Sequence, residues 1–349
     1  MKFVIDDKIP YIREAIASMG VEAVYLDGSS ITNADVKDAD ALIVRTRTRC
    51  NRALLKGSKV KFIATATIGY DHLDLNYLDW KNIQWCNCPG CNSGAVSQYV
   101  RNCLLLIQQD MQMDLKKITL GVVGCGSVGS KVIYEARMLG MNVIVSDPPM
   151  GGVYRHSLKE LGEQADIITF HVPLNEDFLY PTKYMANEYF FNHLKRKPII
   201  INTSRGAVVD NEALLEALET GKVRQAVIDT WENEPYIMKP LLQKVYIGTP
   251  HIAGYSAEGK TNANNMLLEE LCLFFHLPFP KFIAPPPLPN DFVYTGNPLE
   301  LYNPKTDSEK LKKNPELFEY FRGHYPVRRE RIWPYEDRYE ELINMEKQP

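Results

Sequence analysis

Three residues in the second half of this 349-residue chain are of types that hold carboxylates and move protons. Arg205 lies in INTSRGAVVD (201–210), Glu234 in DTWENEP (229–235) and His251 in TPHIAGY (249–255), each where an apolar run gives way to a loop. A guanidinium offers a planar fork that matches a carboxylate and polarises a neighbouring oxygen. An imidazole titrates in the range where it can take a hydroxyl proton and return it. A carboxylate against that ring orients it and raises its pKa. Each residue also has an ordinary reading: a surface ion pair, a loop acid before Pro235, a satisfied histidine. Their shared place at strand ends, where open α/β sheets bind ligands, favours chemistry.

The stretch ITLGVVGCGSVG (118–129) supplies the second half of a reaction. Ile118, Leu120, Val122 and Val123 read as a buried parallel strand that stops at Gly124, Gly126 and Gly129. Val128, Val132, Ile133, Ala136 and Leu139 then share one helical face, and Gly140 suits the position past the helix end. In a dinucleotide site one glycine makes the tight turn, one lets amides approach a pyrophosphate, and one lets helix and strand pack closely. Ser127 and Val128 complete the turn, and the helix N-terminus faces the phosphates. Asp147 ends the next strand, about 20 residues on, where a carboxylate accepts hydrogen bonds from ribose hydroxyls. Its charge repels a 2′-phosphate, which points to NAD rather than NADP. A dinucleotide beside a proton acceptor and a carboxylate clamp is the equipment for oxidising a hydroxy acid.

Composition narrows the partners. The formal charge of −3 and the lack of a basic block argue against nucleic acid and anionic membranes. Apolar runs fall short of the roughly 20 residues of a membrane span, and acids directly after the first apolar run are unlike a signal peptide. Seven cysteines, an odd number, fit a reduced cytoplasm. Cys86, Cys88 and Cys91 have metal-like spacing, but no second pair completes a tetrahedral site, so buried thiols are the default and no metal is expected.

The surrounding elements repeat strand and helix. FVI (3–5), AVYL (23–26), ALIV (41–44), KFIATAT (61–67) and IQW (83–85) predict one parallel α/β sheet. A long helix begins near Ser93, with Val96, Val100, Cys103, Leu104 and Ile107 along one stripe. The glycine unit, DIITFHV (166–172), PIIIN (198–202), QAVID (225–229) and a run ending before Thr249 predict a six-strand doubly wound sheet. Asp210 caps a helix from Asn211 to Thr220. A further helix, 257–276, is expected to return to the first sheet. The expected domains are 1–92 with 255–279 for substrate and 93–254 for the dinucleotide. Since 12 of the 22 prolines follow His276, the tail (280–349) is too broken for a large core of its own and reads as a dimerisation region.

The ordered set GxGxxG, Asp147, SRGAVVD, ENEP and PHIAG resembles the D-isomer-specific 2-hydroxyacid dehydrogenase family, from residue 1 to about 276. The resemblance implies a Rossmann NAD domain beside a flavodoxin-like substrate domain. It implies Arg205 as substrate-binding and catalytic residue, His251 as proton donor and acceptor, and Glu234 as its partner. NAD contacts would come from Asp147, the backbone of Thr203, Ser204 and Arg205, Asp229 and Gly254. Within the family, ALIVRTRT (41–48), FIATATIGYDHLD (62–74), PGCNS (89–93), HIAGYSAEGK (251–260) and the tail 301–330 resemble a branch that takes a phosphorylated 2-hydroxy acid and forms homodimers. Thr46, Thr67 and Tyr255 would then touch substrate. Arg45 and Arg47, with Arg328 or Arg329 from a partner subunit, are the candidates for its phosphate. Val172 stands where the relatives carry threonine, so any cofactor contact there is backbone or apolar. The competing readings are a relative acting on 3-phosphoglycerate or glyoxylate, and a non-catalytic NAD-binding sensor or scaffold.

Overall fold

The computed structural model describes residues 1–152, 156–176 and 179–331. Two parallel sheets organise it. The first contains β1 (Lys2–Asp6), β2 (Glu22–Leu26), β3 (Ala41–Val44), β4 (Phe62–Thr65) and β5 (Gln84–Cys86), in the order β2-β1-β3-β4-β5. The second contains β6 (Thr119–Val123), β7 (Asn142–Ser146), β8 (Ile167–Phe170), β9 (Ile199–Asn202), β10 (Gln225–Ile228) and β11 (Ile247–Gly248), in the order β11-β10-β9-β8-β6-β7. Parallel strands need crossovers that cover both faces, which is why ALIV, FIAT and IITF are buried at every position. The expected five-strand and six-strand sheets are both present. The DIITFHV run leaves the sheet early: β8 ends at Phe170, and His171 and Val172 pass beneath the glycine turn.

Two 19-residue helices carry the chain between the sheets. Ser93–Met111 packs Val100, Leu104 and Ile107 against Leu120, Val122, Ile199 and Ile201 of the second sheet. Ala257–Phe275 returns to the first sheet, where Leu267, Leu268 and Leu271 meet Phe3, Ile5, Ile43 and Phe62. The helix expected from Asn211 runs Asn211–Glu219, with the Asp210 carboxylate accepting from the amides of Glu212 and Ala213 at 3.0 Å.

The tail has no core of its own, and its apolar residues join the second sheet instead. Leu311 and Phe318 enter the cluster around Phe170, Ile200 and Ile228. The Ser308 hydroxyl accepts from the Gly248 amide at 2.9 Å, and the Asn102 side chain donates to the Tyr302 carbonyl at 2.5 Å. The final described turn is tied to both long helices, because Gln98 donates to the Arg329 carbonyl and the Ala257 amide donates to that of Arg328. Residues 332–349 of the expected dimerisation region lie outside the described residues.

Candidate active site

The glycine turn has the shape a pyrophosphate requires. Gly124 has φ +89°, and a Cβ there would meet the His171 carbonyl oxygen at 2.6 Å and Val172 Cγ1 at 2.8 Å. A Cβ on Gly129 would run into the Gly124 carbonyl, so the helix Gly129–Met138 starts hard against the strand end. Gly126 differs: its Cβ position has nothing within 4 Å, leaving the amide edge open to a ligand. Asp147 follows β7, and its Oδ2 accepts from the Cys125 amide at 2.6 Å, fixing the carboxylate beside the turn. A cavity of about 1030 Å³ opens here, lined by Gly126, Ser127 and Met150 and, from the facing helix, Asn262 and Met266. It extends away from Arg205 and His251, which do not line it. Open backbone, a helix N-terminus and a carboxylate beside the turn fit NAD.

Arg205, Glu234 and His251 follow β9, β10 and β11, three strands that lie side by side, so their loops form one continuous rim. His251 Nδ1 and Glu234 Oε2 are 2.7 Å apart, and Glu234 Oε1 accepts from the Trp231 amide at 2.8 Å. Both oxygens are therefore committed, leaving His251 Nε2 for other partners. Burial alone would raise the Glu234 carboxyl, but the charge and hydrogen bond of His251 and the Trp231 amide outweigh it and hold the group below its usual range. A depressed carboxyl adds stability above the ordinary glutamate pKa of about 4.3, and that stability is lost as pH falls through the lower folded value. Glu234→Gln should thus melt below the wild type near neutrality, with the gap closing in acid; thermal melts of both proteins across pH check this.

Asp229 builds the His251 loop from below. It is 1% exposed and accepts from the Thr249 hydroxyl at 2.6 Å and from the amides of Ile252 and Ala253 at 2.8 and 2.9 Å. Its carboxylate is spent on the chain itself, so its influence on a ligand runs through this loop. Arg205 leaves the second sheet and spans to the first: its Nη1 donates to the Ser204 carbonyl at 2.9 Å, and its Nη2 lies 3.0 Å from where a Gly69 Cβ would stand. The Gly69 loop is braced by Thr67, whose hydroxyl donates to the Gly69 carbonyl at 2.8 Å. A guanidinium thus lies over open backbone, in position to receive a carboxylate.

Residues 96–253 match the model of the D-isomer specific 2-hydroxyacid dehydrogenase NAD-binding domain. An erythronate-4-phosphate dehydrogenase of Bacteroides fragilis is 52% identical over 95% of this chain and 97% of its own. The chain belongs to the D-isomer-specific 2-hydroxyacid dehydrogenases. It is an NAD-dependent dehydrogenase. An erythronate-4-phosphate dehydrogenase of Edwardsiella ictaluri is 39% identical over 95% of this chain and 93% of its own. Among solved structures, the NAD-bound 3-phosphoglycerate dehydrogenase of Entamoeba histolytica superposes with a TM-score of 0.67, at 26% identity over 82% of this chain and 99% of that one. The NAD- and lactate-bound D-lactate dehydrogenase of Aquifex aeolicus shares the fold, with a TM-score of 0.64 at 24% identity, over 79% of this chain and 96% of that one.

In this dehydrogenase the other expected residues are spread over the loops of both sheets. The Thr203 hydroxyl lies 3.3 Å from His171 Nδ1, and Ser204 is buried with its hydroxyl donating to Asn202 at 2.7 Å. Gly254 packs against Asn92, leaving no room for a Cβ, and Ser127 touches the Gly90 turn. Thr46 follows β3 between Arg45 and Arg47, and Tyr255 stands edge-on to Tyr325 with ring centroids 5.7 Å apart. Two cation assignments need correction. Arg328 is buried in its own chain, donating to the carbonyls of Ala253, Ala95 and Ile252. Arg329 pairs with Glu258 at 2.7 Å, also within the chain, so neither reaches out to a second subunit's site. Arg47 is paired with Glu319 of the tail.

Sequence reasoning missed Arg322. The helix Phe318–Gly323 brings it to Glu319, at 2.9 Å, with its charge facing Tyr255 and Glu234. Its only signal was a basic residue in a tail already assigned to dimerisation. The cysteines are core residues: Cys88 Sγ donates to the carbonyls of Ala263 and Thr65 at 3.2 and 3.4 Å, and burial pushes the Cys86 and Cys91 thiols up to about 12.

Proposed function

We propose that the chain oxidises 4-phospho-D-erythronate at C2 to 2-oxo-3-hydroxy-4-phosphobutanoate, a step in the making of pyridoxal 5′-phosphate. Erythronate-4-phosphate dehydrogenases at 38–52% identity over 95% of the chain support this substrate. The observation that carries the chemistry is the His251–Glu234 couple, 2.7 Å apart, on the rim shared with Arg205.

The Arg205 fork holds the substrate carboxylate against the Gly69 loop and draws charge from the C2 oxygen. His251 Nε2 takes the hydroxyl proton as the C2–O bond becomes a carbonyl. Glu234 keeps the ring in the tautomer that leaves Nε2 open and stabilises the imidazolium that forms. NAD, when bound, supplies the acceptor for the hydride that leaves C2 with the bonding pair. Gly124, Gly126, Ser127, Val128 and Gly129 hold its pyrophosphate, Asp147 its ribose, and the Thr203–Ser204–Arg205 backbone, the Asp229 loop and Gly254 its nicotinamide end. Thr46, Thr67 and Tyr255 line the polyhydroxy chain. The two sheet units, 1–92 with 255–279 and 93–254, act as domains that close over substrate and exclude water. Region 280–349 pairs two copies, which sedimentation of the full chain tests. Seven thiols without a disulfide among them suit the cytoplasm.

Asp147→Ala should lower the preference for NAD over NADP, as a ratio of kcat/KM, by roughly tenfold or more. An unchanged ratio would remove the ribose role from Asp147. The substrate is tested by NAD reduction with erythronate 4-phosphate beside 3-phosphoglycerate, with and without an added 2-oxo acid to take the electrons onward. Turnover confined to erythronate 4-phosphate is expected; preference for 3-phosphoglycerate would give the chain to the other branch.

A further inference from the structure

A terminal phosphate needs a cation whose charge is not already spent. Two residues flank Thr46, and both are occupied. Arg45 forks onto the buried Asp6, with Nε at 3.0 Å and Nη2 at 3.2 Å, and Arg47 is held by Glu319. Arg329 is taken by Glu258, and Arg328 is wrapped in carbonyls. Arg322 shares the Glu319 carboxylate with Arg47, and its remaining charge faces Tyr255 and Glu234.

Lys260 is different. It lies one turn into the helix Ala257–Phe275, just after Tyr255, and is half-buried. Its Nζ stands over the Tyr255 ring, 5.5 Å from the centroid. Among the described residues no carboxylate lies within ion-pair distance of it. The charges facing it are those of Arg45 and Arg328, both of its own sign. Burial, then Arg45, then Arg328 hold its amine below the usual lysine range. An ammonium drawn out of water and set among like charges is costly unless an anion joins it. The missing partner is a negative charge, and the neighbours are those expected to touch substrate.

We infer that Lys260, whose Nζ stands over the Tyr255 ring, seats the terminal phosphate of the substrate. This rests on the proposed substrate and names the group that selects it. A phosphate monoester carries close to two negative charges at neutral pH, so it supplies the counter-charge that Lys260 lacks among the described residues. An acid lacking the phosphate leaves Lys260 in its unfavourable setting, which makes the residue a determinant of specificity rather than of the chemical step.

The test measures kcat/KM of the NAD-loaded protein for erythronate 4-phosphate and for erythronate, in the wild type, Lys260→Met and Lys260→Arg. Lys260→Met should cut the ratio of the two values by on the order of 10–100-fold, and Lys260→Arg should restore part of it. Inorganic phosphate should compete with substrate in the wild type and lose that competition in Lys260→Met. Equal losses on both substrates, or no loss on either, would overturn the assignment while leaving the substrate intact. A wild type that does not prefer the phosphorylated acid would overturn the substrate reading itself, and the phosphate seat with it.

Discussion

Asparagine in place of His251 lowers kcat by on the order of 10²–10⁴ and leaves NAD binding in place. The substitution isolates the proton transfer from the fold. His251 has φ +55°, a left-handed conformation that asparagine adopts more readily than most residues, so the loop keeps its path. The loop is also held from beneath by Asp229, through the amides of Ile252 and Ala253, independently of the His251 ring. An amide can still bond Glu234 but cannot accept a proton near neutral pH. Steady-state kcat, read beside NAD titration by fluorescence, checks the result. A kcat within a few-fold of the wild type would take the proton from His251.

Lysine in place of Arg205 lowers kcat/KM by on the order of 10²–10³ although the charge is kept. The ammonium is a point charge on a flexible stem, whereas the guanidinium has Nη2 against the Gly69 loop and Nη1 pinned to the Ser204 carbonyl. What is lost is the paired, fixed geometry on the carboxylate. The same kinetics on the same substrate decide it, and a lysine variant with wild-type kcat/KM would reduce Arg205 to a general positive charge.

The parts of this fold that were legible in sequence are those governed by period and turn chemistry. The buried runs of β3, β4 and β8 could only be parallel strands, and Gly124, Gly126 and Gly129 each have the spatial duty their spacing implied. The candidates Arg205, Glu234 and His251 were picked by type and by strand-end position. That their loops form one rim was not readable, because it depends on β9, β10 and β11 being neighbours, which is a matter of sheet order. Asp229 shows the same limit: an acid at a strand end looks ligand-facing until its three internal donors are seen. The cations were the hardest. Arg45, Arg47, Arg328 and Arg329 are conspicuous in sequence, yet each is engaged within the chain, while Lys260 is marked only by having no carboxylate partner among the described residues. The tail's prolines and charges gave no sign that Leu311 and Phe318 are anchored in the core of the second sheet, or that the charge of Arg322 faces Glu234.

The central claim is that Arg205 and the His251–Glu234 couple meet substrate at one carbon, from which a hydride leaves. Oxidation of erythronate 4-phosphate deuterated at C2 tests it most directly, by following the label. The account predicts deuterium in the nicotinamide ring of the reduced NAD and a slowed hydride step. Deuterium released to water would contradict it, because C2 would then have lost a proton instead.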